Sequence, residues 1–248
     1  MAIDCGEHTR LRTALITGGS GGIGRALCLA FSHAGWQVGV HYYEHKAEAE
    51  QTVSLITQHG GTSMTYQADI REAAQVEAMI TRFVTTYGHL DVMICNAGIS
   101  SSQLLLRLTP KEWENSIATN LSGSFYCLQA AGRHMIRQNY GSIIVVGSYA
   151  GVHGDVGQSA YAASKAGLLG LVKTSALEWG ANNIRVNVVL PGWHQTELAG
   201  AAMPDATELN RHILRRTPSL QEVAQSIVHL ATRQDMSGQV WNLDSRLL

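Results

Sequence analysis

Thr13-Ala14-Leu15-Ile16-Thr17-Gly18-Gly19-Ser20-Gly21-Gly22-Ile23-Gly24 is the stretch on which the fold turns. A short β-rich run ends at Thr17, glycines follow, and an apolar helical pattern opens with Ala26, Leu27, Leu29 and Ala30. Glycines at a strand-to-helix turn allow the tight bend, close approach of backbone to a pyrophosphate, and close packing of helix on strand. The helix N-terminus then offers free N–H groups and the positive end of its dipole to phosphate oxygens. A glycine-rich turn by itself also suits a purely structural bend. Set after a first strand and before a first helix, it points to dinucleotide binding. No Gly-Lys-Ser/Thr ends the run, which argues against a P-loop nucleotide hydrolase.

Outward from that turn, Gln37–Tyr42, Thr62–Ala68, Asp91–Cys95, Ser142–Gly147, Ile184–Leu190 and Gln239–Leu243 read as further strands. Several are apolar on both faces, as strands inside a parallel sheet are. Helical patterns lie between them at Gly22–Ala34, Lys46–His59, Glu72–Tyr87, Lys111–Gln138, Ala160–Ala181 and Gln221–Arg233. Strand and helix alternating in this way predict a doubly wound α/β sheet. With no low-complexity linker, residues 1–248 are expected to form one dinucleotide-binding and catalytic domain, residues 1–10 being a loose N-terminal tail. The irregular stretch 194–218 breaks the rhythm and is expected to be a substrate lid. Trp193, Leu198 and Met203 suggest an apolar wall for the substrate.

The 248 residues are 45% hydrophobic and 15% charged, with a formal net charge of -1. That balance gives no basic surface of the kind that binds nucleic acid. Four scattered cysteines suggest a reducing compartment rather than a disulfide framework. The eleven histidines form no H-E-x-x-H, and His41 and His45 straddle a strand end, so no metal site is expected. Residues from Met1 to Arg12 are polar, without the apolar stretch of a signal peptide, and no apolar run approaches a membrane span. The expectation is a cytoplasmic protein.

Tyr161-Ala162-Ala163-Ser164-Lys165 opens a strong helical pattern. Residues four apart share a helix face, so phenol and ammonium lie side by side. A neighbouring cation favours phenolate and draws the tyrosine pKa down towards a range useful in acid–base catalysis. Ser148 follows the apolar strand Ser142–Gly147, at the sheet edge where open α/β sheets bind ligands. Asn120 lies mid-pattern in Thr119-Asn120-Leu121-Ser122-Gly123, against helix propensity. A polar residue that breaks a local rule marks either a functional position or a buried group satisfying nearby backbone.

The glycine spacing at Gly18, Gly22 and Gly24, the Asn96-Ala97-Gly98 that follows the fourth strand, and the set Asn120, Ser148, Tyr161 and Lys165 together resemble the short-chain dehydrogenase/reductase family from about Thr13 to Leu243. The resemblance implies a Rossmann fold with a seven-stranded, mostly parallel sheet in the order 3-2-1-4-5-6-7. It also implies hydride transfer between a nicotinamide and a carbonyl/alcohol pair. Ser148 then holds the substrate oxygen, Tyr161 exchanges a proton with it, Lys165 tunes Tyr161 and bonds the nicotinamide ribose, and Asn120 holds a water linking Lys165 to solvent. Cofactor contacts carried over are Gly18, Ser20, Gly21, Gly22, Ile23, Gly24, Tyr42, Tyr43, Asp69, Ile70, Asn96, Ala97, Gly98, Pro191, Gly192 and Thr196, besides Tyr161 and Lys165. For Asp69 a helix cap is the alternative. Tyr42 stands where an acid would bond the adenosine ribose of NAD, so NADP(H) is favoured over NAD(H). The basic positions of NADP-preferring relatives are Gly21 and Tyr43 here, with Lys46 or Arg25 as substitutes.

Within that family the chain is most similar in appearance to 3-oxoacyl-[acyl-carrier-protein] reductases, on Thr119 to Gly123, Tyr161 to Gly167 and Val186-Asn187-Val188-Val189. This implies a 3-oxoacyl thioester on acyl carrier protein as substrate, and a homodimer or homotetramer. The long helical stretches Lys111–Gln138 and Ala160–Ala181 form the dimer face in relatives. Basic residues that steer the carrier protein fall near Asn139 and Asn182, with Arg133 and Arg137 close by. The segment Arg215 to Glu222 is short, and Trp241-Asn242-Leu243-Asp244-Ser245-Arg246 departs from the usual glycine-rich ending. A dehydrogenase or reductase of a free small molecule (a sugar alcohol, steroid or secondary metabolite) is the alternative. A non-catalytic dinucleotide sensor or assembly subunit is the remote one.

Overall fold

The alternation of strand and helix closes into one sheet in the computed structural model, which describes residues 10–100, 102–196 and 204–248. In chain order the elements are β1 (Thr13–Ile16), α1 (Gly22–His33), β2 (Gln37–Tyr42), α2 (Lys46–Gln58), β3 (Ser63–Gln67), α3 (Ala73–Tyr87) and β4 (Val92–Cys95). There follow α4 (Pro110–Ser116), α5 (Gly123–Gln138), β5 (Gly141–Val146), α6 (Ala150–His153), α7 (Ser159–Trp179) and β6 (Ile184–Leu190). Last come α8 (Ala206–Leu209), α9 (Leu220–Thr232) and β7 (Val240–Asn242). The strands lie in the order β3-β2-β1-β4-β5-β6-β7. Every pairing is parallel, with Leu15 beside Met93 and Ile144 beside Asn187.

Each central strand is buried on both sides, and its alternate residues feed two different cores. Leu15, Met93, Ile143 and Val145 point to one face, where α3, α5 and α7 contribute Phe83, Leu128 and Leu168. Ala14, Ile16, Ile94 and Ile144 point to the other, against Leu27 and Phe31 of α1, Ile56 of α2 and Ile227 of α9. Covering both faces with helices is what makes the all-parallel sheet stable.

The sequence pattern at Lys111–Gln138 reads as one helix, but the chain is not continuous there. Between α4 and α5 the backbone widens into a π-helical stretch, Ile117–Ser122, with Asn120 inside it. Such stretches recur at functional sites because they redirect one side chain out of register. The expected helix Ala160–Ala181 ends at Trp179 and tightens into a 3-10 turn, Gly180–Asn182. Of the expected loose tail, residues 1–9 lie outside the described residues, while Arg10 is tied down by Asp91 at 2.6 Å. Leu198 and Met203, proposed as an apolar wall, also lie outside them, as does 197–203 of the expected lid. The rest of that lid carries the short helix α8, capped by Asp205, whose carboxylate accepts from the Glu208 amide at 2.9 Å.

The chain runs outward from β1 to β3, then returns to place β4 on the other side of β1. Loops after β1 and β4 therefore diverge, opening a crevice at the carboxyl ends of the strands.

Candidate active site

The glycine turn sits at that crevice and is stitched to the loop beyond β4. Thr17 Oγ1 accepts from the amides of Asn96 (2.9 Å) and Ala97 (3.0 Å), and Asn96 Nδ2 donates to the Thr17 carbonyl at 2.8 Å. Gly18 and Gly22 have φ of +66° and +50°, a region open to glycine and costly for other residues. A Cβ at Gly24 would lie 1.9 Å from the Gly18 carbonyl oxygen, so α1 reaches its packing distance only with glycine there. The turn hangs on His41. Its Nδ1 accepts from the Gly18 amide at 3.0 Å, which leaves Nε2 to donate to the Ala68 carbonyl at 3.0 Å.

From the turn a cleft of about 510 Å³ runs over the ends of β2 and β3, lined by Gly18, Ser20, Gly21, Gly22, Ile23, Tyr42, Tyr43, Asp69 and Ile70. Asn96, Ala97, Gly98 and Thr196 close its inner end. Asp69 caps no helix, for Glu72 precedes α3. Its carboxylate instead receives Arg71 in a fork, Nε to Oδ1 at 2.9 Å and Nη2 to Oδ2 at 2.6 Å. Those hydrogen bonds hold the Asp69 pKa below the ordinary carboxylate value. The same guanidinium lies 5.4 Å from the Tyr43 ring centroid and donates to Asn115 Oδ1 at 3.3 Å. Arg25 and Lys46, the basic substitutes suggested by sequence, are turned elsewhere. Arg25 donates to the Ser20 carbonyl at 2.7 Å and to Thr52 Oγ1 at 3.2 Å, and Lys46 pairs with Glu50 at 3.7 Å. Neither lines the cleft, whereas Arg71 does.

A second cleft, about 210 Å³, continues past Ile23 and Thr196 to the ends of β5 and β6. Ser148, Tyr161 and Lys165 meet in its wall with Pro191, Gly192 and Trp193. Lys165 is buried, and its Nζ donates to the Val146 carbonyl at 2.7 Å while lying 5.7 Å from the Tyr161 ring centroid. Burial pushes the Lys165 pKa down to about 8. The net shift of the Tyr161 pKa is upward. Burial raises that pKa, and the counteracting group is the Ser148 hydroxyl. The ammonium is engaged by the Val146 carbonyl and lies over the Tyr161 ring.

Asn120 is wholly buried, and its side chain satisfies nearby backbone, the second of the two interpretations of its odd position. Its Nδ2 donates to the Ile99 carbonyl (2.9 Å) and to Ser164 Oγ (3.0 Å), and its Oδ1 accepts from the Ile99 amide at 2.8 Å. The widened stretch thus aims one amide at the loop after β4 and at α7 together. A Cβ on Gly98 would stand 3.0 Å from Asn120 Oδ1 and 3.6 Å from Lys165 Nζ, so glycine there keeps that corner open.

A family model described as short chain dehydrogenase matches residues 12–207. The chain belongs to the short-chain dehydrogenase family. As such it is an oxidoreductase. It is 38% identical over 226 residues to a 3-oxoacyl-[acyl-carrier-protein] reductase of Staphylococcus aureus, spanning 89% of this chain and 91% of that one. A 3-oxoacyl-[acyl-carrier-protein] reductase of Synechocystis is 35% identical over 241 residues, or 96% and 97% of the two chains. A solved dehydrogenase/reductase from Sinorhizobium meliloti superposes with a TM-score of 0.87 at 32% identity, covering 94% of each chain.

In this short-chain dehydrogenase the sequence singled out the glycine turn and the set around Tyr161 but missed three residues. His41, which sequence spacing relates only to His45, braces the turn. Among the described residues no group of three metal-ligating side chains occurs. Arg71 carried only the faint signal of an Asp-x-Arg spacing just past a strand. Arg246 lines the Tyr161 cleft from the far end of the chain, where sequence separation hides it.

Proposed function

We propose that this protein reduces the ketone of a 3-oxoacyl thioester, carried on acyl carrier protein, with NADP(H) as hydride source. The observation that carries the proposal is the continuity of the two clefts. The glycine turn lies at one end, and Ser148, Tyr161 and Lys165 gather at the other. The glycine turn, whose Gly18, Gly21 and Gly22 line the first cleft with no side chain in the way, suits a pyrophosphate. When bound, the nicotinamide supplies or accepts the hydride. Ser148 donates to the substrate oxygen and stabilises charge developing there. Tyr161, kept protonated by its raised pKa, delivers the proton to that oxygen. Lys165 places a positive charge beneath Tyr161 and remains available to a ribose hydroxyl. Asn120 fixes the loop and helix that hold both. Tyr42, in place of an acid, supports NADP(H) over NAD(H), and Arg71 adds a cation to the same cleft.

The exposed apolar residues Trp113 of α4, Phe125 of α5 and Leu177 of α7 support a homodimer or homotetramer built on those helices. Arg133 and Arg137 lie exposed on α5, Arg133 paired with Glu77 at 3.2 Å, and are offered to the acidic carrier. No helix among the described residues is long and apolar enough to cross a membrane, and Cys28, Cys95 and Cys127 are free thiols, which suits a reducing cytoplasm.

The test is consumption of reduced cofactor with acetoacetyl thioesters on carrier protein and on coenzyme A, NADPH against NADH. Faster turnover with NADPH and with carrier protein is expected, and Tyr161→Phe should lower kcat by about 10²- to 10⁴-fold. The polar groups Ser100, Ser102, Asp155 and Gln158 in the reaction cleft favour, as second choice, a free small hydrophilic ketone. Inactivity on both thioesters with turnover of such a ketone would establish that choice.

A further inference from the structure

Beyond β7 the chain turns back over the reaction cleft and places Arg246 in its wall, beside Ser148, Tyr149 and Trp193. The side chain is 6% exposed and held from three directions. Its Nε and Nη2 donate to Asp244 Oδ2 at 2.9 and 2.5 Å, and its Nη1 donates to Glu208 Oε1 at 3.1 Å. The guanidinium carbon lies 4.0 Å from the Tyr149 ring centroid, and the Tyr149 hydroxyl donates to the Leu247 carbonyl at 3.1 Å. The Arg246 backbone is pinned as well, its amide to Asp244 Oδ1 at 2.7 Å and its carbonyl to Asn242 Nδ2 at 2.5 Å. Tail, α8 and the loop after β5 therefore converge on one guanidinium. Gly192 completes the fit, since a Cβ there would stand 2.7 Å from the Asp244 Cβ.

Two carboxylates surround the single cation, so the position is no trap for an anion. Of the five N–H donors on a guanidinium, three are engaged, and one on each terminal nitrogen is left. A buried planar group with two spare donors, fixed at the edge of the reaction cleft, suits an uncharged oxygen acceptor.

We propose that Arg246 is a specificity-determining residue that donates to a second oxygen of the substrate, beyond the carbonyl being reduced. It thereby selects compounds bearing a second carbonyl group near the ketone. This rests on the reductase assignment above, in which the thioester carbonyl of a 3-oxoacyl group is that second oxygen. A side chain with two remaining donors gains nothing from a simple ketone.

The experiment measures kcat and KM of the full chain with NADPH for acetoacetyl-coenzyme A and for 2-pentanone, in the parent protein, Arg246→Ala and Arg246→Lys. Arg246→Ala strips Asp244 of its partner and endangers the fold, so Arg246→Lys, which keeps the charge and loses the planar fork, carries the comparison. Expected is a fall of about 10- to 100-fold in kcat/KM for acetoacetyl-coenzyme A, mostly in KM, the worth of one charge-assisted hydrogen bond. Turnover of 2-pentanone should fall by a distinctly smaller factor. Equal losses on both substrates, or none on either, overturn the proposal. Should the parent reduce neither, the reductase assignment fails on its own, and calorimetric binding to the NADPH-loaded protein decides about Arg246. Weaker binding of acetoacetyl-coenzyme A but not of coenzyme A in Arg246→Lys supports the proposal, and identical binding refutes it.

Discussion

The Gly18 amide donates to Nδ1 of His41 at 3.0 Å, so the glycine turn is tied to β2 through a neutral imidazole. The opposite ring nitrogen donates to the Ala68 carbonyl, and the ring is buried between the two. Protonation would set an N–H against the Gly18 N–H and destroy the tie. Burial accordingly holds the His41 pKa down at about 4, against an ordinary 6.5.

That depression has a consequence for stability. Between those two values the unfolded chain binds the proton and the folded chain does not. The His41 contribution is therefore complete above about pH 6.5 and is lost as pH falls towards 4, by up to roughly 3 kcal/mol. Denaturant unfolding at a series of pH values should show this slope, and it should flatten in His41→Gln, whose amide accepts and donates without titrating. His134, His194 and His212 are also held low by burial and contribute to the slope that remains. Parallel slopes in parent and variant would show that His41 titrates alike in both states.

How far the sequence could be read follows from how local each signal is. The turn at Gly18 to Gly24 and the Tyr161–Lys165 pair are set by spacing within one element, so their chemistry is visible in a few adjacent residues. Asn120 was visible as an anomaly, but the π-helical widening that explains it depends on packing against Ile99 and Ser164, 21 and 44 residues away. His41 faces inward because β2 alternates, yet what it meets is set by the register with β3 and by the turn after β1. Arg71 and Tyr43 come together only when β2 and β3 pair in parallel. The upward shift of Tyr161 is not legible in the sequence because it is set by burial, which spacing within one helix does not report.

Arg71 offers a test of cofactor choice. Its guanidinium is already neutralised in part by Asp69, and Glu44 lines the same cleft, so net charge does not settle the preference. The proposed preference leans instead on the position of Arg71, which lines that cleft, bonds Asp69 and Asn115 and lies over Tyr43. Arg71→Ala should weaken NADPH binding about 5- to 30-fold, the worth of one charge-assisted contact, and NADH binding by a smaller factor. Fluorescence titration of both reduced cofactors measures this. An equal loss for the two would assign Arg71 to the shared adenosine moiety and remove its support for NADP(H).

Lys165 sets the expected alkaline limb of activity. Burial disfavours its ammonium and brings the folded pKa to about 8 from an ordinary 10.5. Tyr161 is shifted the other way, so it keeps its proton over the range in which Lys165 loses one. In the proposed reduction the phenol must be protonated and the Lys165 charge present, and above pH 8 the second condition fails first. The profile of kcat/KM, which reports groups of the free enzyme, should therefore fall with an apparent pKa near 8. Lys165→Arg, protonated at every accessible pH, should be slower overall and lack that limb. A parent profile that stays flat well beyond pH 8 would mean that Lys165 remains charged in the working enzyme. In that case the carbonyl of Val146 holds the ammonium more firmly than its burial disfavours it.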